Sequence, residues 1–251
     1  MSRGVLVTGS ASGLGRAIAT AFARGGDRVA VHCHTNRADA EATLAALPGD
    51  GHALVQGDIR EARRLADAAE EALGGVDVLV NNAAVATSAD NAHPLADTTF
   101  ERWQAAWRQS VEVNLLGAAD LTFCVARHMI ARGAAGRVVN IGSRGAFRGE
   151  PDHPAYGATK AALQATGQSL AVHLAPHGIA VSSVAPGFIA TDRVADRLTG
   201  ERGDALRAQS PFGRVAQSDE VAAAVVYLAS ADAEWASGAI LDLNGASYLR
   251  S

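Results

Sequence analysis

Three side chains that can act together in proton transfer lie within residues 143–160. They are Ser143, Tyr156 and Lys160. Proline is favoured in the first turn of a helix, so Pro154 predicts a helix that carries Tyr156 and Lys160 four residues apart on one face. A cation beside a phenol favours the phenolate and lowers the pKa of the phenol. The alternative is that the two side chains merely share a helix face.

This arrangement suits a reaction at a carbonyl or alcohol carbon. A phenol has an ordinary pKa of about 10 and a proton donor works best near pH 7, so its neighbours must supply about 4 kcal/mol. Lys160 favours the phenolate electrostatically, and the hydroxyl of Ser143 can hold a carbonyl oxygen beside Tyr156. The segment therefore predicts carbonyl reduction or alcohol oxidation.

Composition excludes several classes of function. The chain has 251 residues, 48% of them hydrophobic, and no linker or repeat divides it, so we expect a single domain over residues 1–251. A net charge of −4 and a pI near 6.0 argue against nucleic acid or an anionic membrane as a partner. Cys33 and Cys124 lack metal-ligand spacing, so we expect no metal site. Without an apolar signal core or a run of about 18 apolar residues, we expect a cytoplasmic protein.

The chain opens with a strand, a glycine-rich turn and a helix. Residues 4–8 are a short apolar run typical of a strand that is buried on both faces. Gly9, Gly13 and Gly15 follow, and helical spacing begins at Ile18. Glycine lets the backbone approach a pyrophosphate, which the N–H groups at the helix N-terminus then bind. This order predicts a dinucleotide site, with a plain tight turn as the alternative.

The residues at the end of the second predicted strand, residues 28–33, indicate which dinucleotide binds. Dinucleotide folds often have an acidic residue at the end of this strand to bind the ribose 2′-hydroxyl, and this chain has none there. The turn instead holds His34, Asn36 and Arg37, which can accommodate a 2′-phosphate. NADP(H) is therefore favoured, with NAD(H) as the alternative. Arg37 has a second interpretation, in which it only starts the next helix at the surface.

Strands and helices alternate along the rest of the chain. Further strands are predicted at residues 52–56, 76–80, 137–142, 178–184 and 239–243. Helices are predicted at residues 35–47, 61–73, 98–129 and 154–174, with a last helix capped by Ser218. The alternation predicts an α/β, doubly wound, Rossmann-like fold, with a seven-stranded parallel sheet flanked by helices on both faces. Residues 188–213 have weak periodicity and many charges, which indicates a substrate lid.

Polar residues occur where several strands end, which is the edge at which open α/β sheets bind ligands. Asp58 follows the third strand and either bonds an adenine ring or caps the next helix. Asn82 follows the fourth strand, and Ser143 follows the fifth, on the same edge as Gly9. Asn114 lies within a predicted helix, where it is either a satisfied core amide or part of a site.

Together these motifs resemble those of single-domain short-chain dehydrogenases/reductases, and the resemblance covers essentially the whole chain. Residues 8–15, T-G-S-A-S-G-L-G, resemble the family's glycine loop T-G-x-x-x-G-x-G. Residues 81–84, N-N-A-A, resemble its N-N-A-G, and residues 186–191 resemble the segment that holds the nicotinamide side. Four polar residues resemble the family's catalytic set: Asn114, Ser143, Tyr156 and Lys160.

The resemblance implies a role for each of these residues. Tyr156 would be the general acid in reduction and the base in oxidation, with its pKa lowered by Lys160, which also contacts the nicotinamide ribose. Ser143 would orient the substrate oxygen, and Asn114 would hold a water molecule that links Lys160 to solvent. The predicted cofactor contacts are Gly9, Ser12, Gly13, Leu14, Gly15, His34, Asn36, Arg37, Asp58, Ile59, Asn82, Ala83, Ala84, Tyr156, Lys160, Pro186, Gly187, Ile189 and Thr191.

Two positions depart from the family pattern. Ala84 replaces the last glycine of N-N-A-G, which adds one methyl group beside the cofactor. Ser12 occupies a loop position where relatives that prefer NADP often have arginine. The NADP(H) prediction therefore depends on the missing acid and on Arg37.

Residues 28–37 and 143–160 are most similar to those of 3-oxoacyl-carrier-protein reductases. The resemblance therefore implies NADP-dependent reduction of a ketone, such as a 3-oxoacyl thioester, to a secondary alcohol. An alcohol, sugar or polyol dehydrogenase acting on a small molecule is the second hypothesis. A regulator that binds NADPH without turnover is the third.

Two further expectations concern partners. The family resemblance suggests a homotetramer or homodimer, with the Tyr156 helix and the C-terminal strand as candidate interfaces. Five arginines near the substrate segments either attract an acidic acyl carrier or are solvated surface charges: Arg144, Arg148, Arg193, Arg197 and Arg202.

Overall fold

The fold is organised around a seven-stranded parallel sheet. In a computed structural model, which describes residues 2–191 and 198–250, the strands run in the order β3-β2-β1-β4-β5-β6-β9. A separate pair, β7 and β8, is also parallel. The strands are β1 (Gly4–Val7), β2 (Arg28–Cys33), β3 (Ala53–Gln56), β4 (Val78–Asn81), β5 (Gly136–Ile141), β6 (Ile179–Pro186), β7 (Ile189–Ala190), β8 (Ala216–Gln217) and β9 (Ile240–Leu243).

Helices cover both faces of this sheet. They are α1 (Gly13–Arg24), α2 (Arg37–Ala46), α3 (Ala62–Leu73), α4 (Phe100–Ser110), α5 (Ala118–Ala131), α6 (Gly145–Arg148), α7 (Pro154–Leu174), α8 (Gly200–Arg207) and α9 (Ser218–Leu228). Successive strand residues point to opposite faces, so Val5 and Val7 pack in one hydrophobic core with α1 and α9. Leu6 packs in a second core with α3 and α5. The predicted doubly wound, Rossmann-like fold is confirmed.

The predicted helix over residues 98–129 is observed as a helix from Phe100 to Ala131, but its middle is not α-helical. A π-helical segment, Val111–Gly117, separates α4 from α5. Gly117 packs so closely that a Cβ there would lie 2.9 Å from the Cγ2 atom of Ile59. Asn114, inside the segment, is buried and bonds to two other parts of the chain. Short π segments often occur where a helix side chain serves a functional site.

The sequence had indicated that Ser218 caps the last helix, but in the structure the N-cap is Gln217. It is the first residue of α9, and its Oγ donates to the carbonyl oxygen of Ala190 at 3.2 Å. The backbone N–H of Gln217 donates to Glu220 Oε2 at 2.8 Å, which is half of a capping box. The last helix is therefore tied to β7 at its start.

The predicted lid is only partly described. Its described residues include β7 and α8, and residues 192–197 lie outside the described part. Its function as a lid stays a prediction. In the described part of the chain, no helix combines the length and apolar character that a membrane crossing requires.

Candidate active site

The carboxyl ends of the central strands open onto a cavity of about 1280 Å³. This volume exceeds the range of about 300–1,000 Å³ that is usual for sites of drug-sized ligands. The wall contains every predicted site residue except Asn36, Arg37 and Asn114. The structure therefore brings the predicted cofactor and catalytic residues to one edge of the sheet.

The glycine loop forms a cradle that side chains would fill. Gly9 and Gly13 have φ angles of 65° and 55°, a region that favours glycine. A Cβ atom at Gly15 would lie 2.3 Å from the carbonyl oxygen of Gly9. The loop leads directly into α1, whose N-terminal N–H groups and positive dipole end attract phosphate. These residues therefore fit the pyrophosphate of a dinucleotide.

The end of β4 holds this loop in place. The Asn82 amide donates to the carbonyl oxygens of Thr8 at 2.7 Å and Gly9 at 3.2 Å. In return, Thr8 Oγ1 accepts from the backbone N–H groups of Asn82 and Ala83, each at 2.9 Å. The Asn82 side chain, predicted as a cofactor contact, thus supports the loop from within the cavity wall.

His32 supports the loop from the other side. Its Nδ1 accepts from the Gly9 N–H at 2.9 Å, so its Nε2 carries the proton and donates to the carbonyl oxygen of Gly57 at 3.1 Å. Burial lowers the pKa of His32 to about 4. No local sequence signal reveals this role because its partners are distant along the chain.

Asp58 and Arg60 lie in the part of the cavity wall that follows β2 and β3, which is the predicted nucleotide end. Arg60 was not among the predicted site residues. Asp58 does not cap α3, which begins after Glu61; its carboxylate accepts from the Arg60 backbone N–H at 3.0 Å. The guanidinium of Arg60 bonds the same carboxylate and lowers the pKa of Asp58 to about 2. His34 lies 3.5 Å from Asp58, and Arg60 lies 3.3 Å from Glu112. Arg60 is therefore a cation in this part of the described wall, and it is paired with carboxylates.

Arg37 and Asn36, both predicted cofactor contacts, lie outside the cavity wall. Arg37 opens α2, as its second interpretation expected, and donates to Glu41 at 2.7 Å and to Gln56 at 3.2 Å. Asn36 caps the same helix by accepting from the Asp39 N–H at 3.3 Å. Helix capping and i,i+4 pairing involve these two side chains in this structure, and their contact with a 2′-phosphate stays a prediction.

The helix α7 passes the end of β5 at the other part of the cavity. Lys160 is 2% exposed, and its Nζ donates to the carbonyl oxygen of Ile141 at 2.7 Å. This nitrogen lies 5.8 Å from the centre of the Tyr156 ring. Ser143 Oγ accepts from the Gly145 N–H at 2.9 Å, and the Ser143 side chain also hydrogen-bonds the Tyr156 phenol. The structure thus brings the three predicted side chains together.

Burial controls the ionisation of this group. It raises the pKa of Tyr156 to about 12, while the Ser143 hydrogen bond opposes the rise and the Glu150 carboxylate adds to it. Burial also lowers the pKa of Lys160 to about 8. The expected acidification of the phenol by Lys160 is therefore not found, because desolvation dominates and the ammonium bonds a backbone carbonyl. At pH 7 the phenol keeps its proton and most of the lysine is charged.

Asn114 lies behind this group and does not line the cavity. It is 1% exposed, and its Oδ1 accepts from the Val85 N–H at 2.7 Å. Its Nδ2 donates to Thr159 Oγ1 at 3.3 Å, and that hydroxyl donates to the carbonyl oxygen of Tyr156 at 3.0 Å. Asn114 is therefore a bonded core amide that is connected to the helical turn carrying Tyr156.

Of the five arginines near the substrate segments, the structure describes the side chains of only two. Arg193 and Arg197 lie outside the described residues, as does the side chain of Arg202. Arg148 is exposed, whereas Arg144 is only 4% exposed. The interpretation of Arg144 as a solvated surface charge is wrong, because the chain folds around it.

Within residues 2–191 and 198–250, no three His, Cys, Asp or Glu side chains cluster in a way that could hold a metal ion. The two histidines at the end of β2 have other partners: His32 bonds two backbone groups and His34 lies beside Asp58. The side chains of Ser143, Tyr156 and Lys160 in the cavity wall are of the kinds that transfer a proton beside a bound dinucleotide.

Comparisons with known proteins agree with this geometry. A family model described as enoyl-(acyl carrier protein) reductase matches residues 9–245. The chain is similar to D-threitol dehydrogenase of Mycolicibacterium smegmatis, with 36% identity over 96% of this chain and 90% of the relative. It is 35% identical to a 3-oxoacyl-[acyl-carrier-protein] reductase of Haemophilus influenzae over 97% of both chains. The crystal structure of acetoin dehydrogenase from Salmonella typhimurium superimposes with a TM-score of 0.83 and 30% identity, covering 98% of this chain and 96% of that one.

Proposed function

Because the chain belongs to the short-chain dehydrogenase/reductase family, we propose that it reduces a ketone to a secondary alcohol with NADP(H), using Tyr156 as the proton donor. Oxidoreduction between alcohols and ketones is the chemistry of the family, and the chain is an oxidoreductase of this kind. The observation that carries the proton-donor role is the Tyr156 phenol in the cavity wall. It bonds Ser143 and, with a pKa of about 12, stays protonated at neutral pH.

The cavity wall offers a place for each part of the cofactor. The glycine loop and the start of α1 would hold the pyrophosphate, and residues 186–191 would hold the nicotinamide side. When bound, the cofactor supplies the hydride. The chain itself contributes binding, orientation and proton transfer.

Proton transfer follows from the contacts of Tyr156. The Ser143 hydroxyl would donate a hydrogen bond to the substrate carbonyl oxygen and hold it beside the phenol. Tyr156 would give its proton to that oxygen while the carbonyl carbon gains the hydride, so the product is a neutral alcohol. The phenolate left behind is stabilised by the ammonium of Lys160, which is charged below a pKa of about 8. Oxidation of the alcohol would require the phenolate at the start.

Asn114 would act through the protein in this proposal. Its bond to Thr159 fixes the turn of α7 that presents Tyr156, so we assign it a positioning role. The water molecule that the family resemblance places on Asn114 stays a prediction.

The nucleotide end of the cavity supports the choice of NADP(H). Residues 33–37, at the end of β2, include no acidic residue that would bind a ribose 2′-hydroxyl and repel a 2′-phosphate. His34 and Arg60 line this part of the wall, although Arg60 is paired with two carboxylates. NAD(H) is the alternative cofactor.

Two substrate classes have support. Dehydrogenation of a small polar alcohol, sugar or polyol is supported by the relative that acts on D-threitol and by a cavity wall containing Ser88, Arg148, Asp152 and Gln209. Reduction of a 3-oxoacyl thioester, as a carrier-bound acyl chain, is supported by the 3-oxoacyl reductase relatives. We put the small polar substrate first because charged and amide side chains, among them Arg148, Asp152 and Gln209, are part of the wall that contains Ser143.

We also propose a cytoplasmic homotetramer or homodimer, with residues 1–251 as one domain and residues 188–213 as its lid. Large apolar side chains exposed on the candidate interfaces support assembly. Val172 on α7 is 80% exposed and Leu241 on β9 is 37% exposed, and Trp235 nearby in sequence is fully exposed. Sedimentation that finds only monomer would contradict this assembly.

The test is a panel of small hydroxy and keto compounds and 3-oxoacyl thioesters, run with NADP(H) and NAD(H) on wild-type protein and on Tyr156→Phe. We expect the variant to lose about 10²- to 10⁴-fold in kcat while NADPH fluorescence still reports cofactor binding. Tyr227→Phe, a half-exposed tyrosine on α9, is the matched control. Equal turnover by Tyr156→Phe would refute the proton-donor role, and readier use of NADH than NADPH would refute the cofactor choice. Biological activity without turnover would favour the regulator.

A further inference from the structure

Arg144 is a buried guanidinium held by neutral groups. It directly follows Ser143, and its backbone N–H donates to the carbonyl oxygen of Pro186 at 2.9 Å. Its side chain donates to Ser247 Oγ at 2.6 Å and to Gln209 Oε1 at 3.0 Å. The guanidinium also lies 5.4 Å from the centre of the Phe188 ring. These contacts fix its direction but give it no opposite charge.

Arg148 shares one of these acceptors. Its Nη1 donates to the same Gln209 Oε1 at 2.8 Å, so one amide oxygen accepts from two guanidinium groups. Both of its lone pairs are then in use. Between described residues, neither arginine forms an ion pair with a carboxylate. Burial and the charge of Arg148 lower the pKa of Arg144, and the Glu150 carboxylate opposes that shift.

This arrangement favours an anion. A charge removed from water is costly unless an opposite charge joins it, and two cations at one oxygen repel each other. A carboxylate would relieve both costs, because a guanidinium matches its two oxygens with parallel N–H donors. Arg144 and Arg148 line the same cavity as Ser143 and Tyr156, so a bound anion would lie beside the reacting group.

We propose that the substrate carries a carboxylate that binds Arg144 and Arg148, while its hydroxyl or ketone lies at Ser143 and Tyr156. The inference rests on the proposed function and limits the proposed substrates to molecules that carry a carboxylate. All four of these residues line one cavity, so a single small molecule can reach both the arginine pair and the reacting group. The substrate class is short hydroxy acids and keto acids, including acidic polyols. A 3-oxoacyl thioester has no free carboxylate at that place.

A structural role for Arg144 is the competing explanation, since its bond to Ser247 ties residues near the C-terminus to the cavity wall. Arg148 separates the two explanations. It is exposed, its described side-chain partner is Gln209, and it lies at the end of the short helix α6. Its replacement tests anion binding with little consequence for the fold.

The experiment compares short hydroxy acids with their primary amides as substrates for oxidation, using kcat/KM. We expect the wild-type protein to prefer the acid by about tenfold or more, and Arg148→Gln to lower the acid-to-amide ratio by about tenfold. Arg148→Lys keeps the charge and should restore part of the ratio. Arg24→Gln, an exposed arginine at the end of α1, is the matched control, and its ratio should equal that of the wild type.

A second measurement does not depend on turnover. Malonate should raise the Tm of the wild-type protein, malonamide should not, and Arg148→Gln should lose the malonate effect. Equal use of acids and amides, an equal loss for both in Arg148→Gln, or a preference for phosphate esters over carboxylates would overturn the inference. If no alcohol or ketone reacts with either cofactor, the proposed function fails. The malonate shift then still decides whether the arginine pair binds a carboxylate.

Discussion

The two ends of the cavity differ in how their arginines are paired. The predicted nucleotide end is the part of the wall with His34, Asp58 and Arg60, and the predicted substrate end is the part with Ser143, Arg144 and Tyr156. At the nucleotide end, Arg60 is half exposed and lies 2.5 Å from Asp58 and 3.3 Å from Glu112. At the substrate end, Arg144 is buried, and its side-chain hydrogen bonds go to the neutral Gln209 and Ser247. Among the described residues, Arg60 has two carboxylates within ion-pair distance, whereas the hydrogen-bond partners of the Arg144 side chain are neutral. The same residue type therefore serves the fold in one place and is available to a ligand in the other.

The ends also differ in how they are built. The nucleotide end is shaped by backbone, which Asn82 and His32 hold through hydrogen bonds to the glycine loop. The substrate end is shaped by side chains, among them Ser143, Tyr156 and Arg148. A backbone cradle suits a cofactor shared by a whole family, whereas side chains can change from one substrate to another. Variants at each end should therefore fail in different ways.

The largest effect is expected from Gly15→Ala. The new Cβ would lie 2.3 Å from the Gly9 carbonyl oxygen, a backbone atom that cannot move without reshaping the loop. We expect the Kd for NADPH, measured by fluorescence titration, to rise about 100-fold or more. Gly25→Ala, at the other end of α1, is the control, since its nearest atom would be 3.2 Å away. An unchanged Kd in Gly15→Ala would show that the cradle does not depend on this close approach.

His32→Ala should destabilise the protein by about 2–4 kcal/mol at pH 7, because two hydrogen bonds and a buried ring are lost. In the wild type, the unfolded chain binds a proton near pH 6.5, whereas the pKa of native His32 is about 4. Stability should therefore fall by up to about 3 kcal/mol as the pH drops through this window. Urea unfolding between pH 7 and pH 4 measures both effects.

The control for this prediction is His177→Ala, which removes an exposed histidine. It should retain the wild-type stability at pH 7 and its pH dependence. The role assigned to His32 would be wrong if His32→Ala kept the same slope of stability against pH.

The pH dependence of reduction should follow Lys160. The ammonium stabilises the phenolate that remains after proton donation, and the pKa of Lys160 is about 8. We expect kcat/KM for ketone reduction to be level below pH 8 and to fall about tenfold per pH unit above it. Tyr156, with a pKa of about 12, keeps its proton throughout this range. A profile that stays flat from pH 7 to pH 10 would exclude a required charge on Lys160.

The smallest effect is expected from Arg60→Gln. Exposed ion pairs contribute little, so the free energy of unfolding should change by less than about 1 kcal/mol. Arg144→Gln, which removes the donor to the half-buried Ser247 and one of the two donors to Gln209, should cost about 2 kcal/mol. Urea unfolding of both variants tests the contrast between the two ends. Equal losses of unfolding free energy in the two variants would mean that the exposed Arg60 and the buried Arg144 contribute equally to stability.

Local patterns predicted most of the fold. Apolar β-branched runs predicted the central strands, and Pro154 and the small residues after it predicted α7 with the bounds that are observed. The π segment around Asn114 was missed because its residues have ordinary helical spacing. The glycine loop was predictable because a positive φ and a close backbone approach both require glycine, whatever the rest of the chain does.

The sequence by itself determined the order of strands and helices, the glycine loop, and the spacing that places Tyr156 and Lys160 on one helix face, since these depend on neighbours within a few residues. Only the tertiary structure decided which arginines face the cavity, which histidine supports the loop, and how Tyr156 and Lys160 ionise. Those properties depend on burial and on partners far apart in the chain, such as Arg144 with Gln209 and His32 with Gly57. Desolvation and charge pairing are set by the packed surroundings of a group, and residue spacing does not encode them.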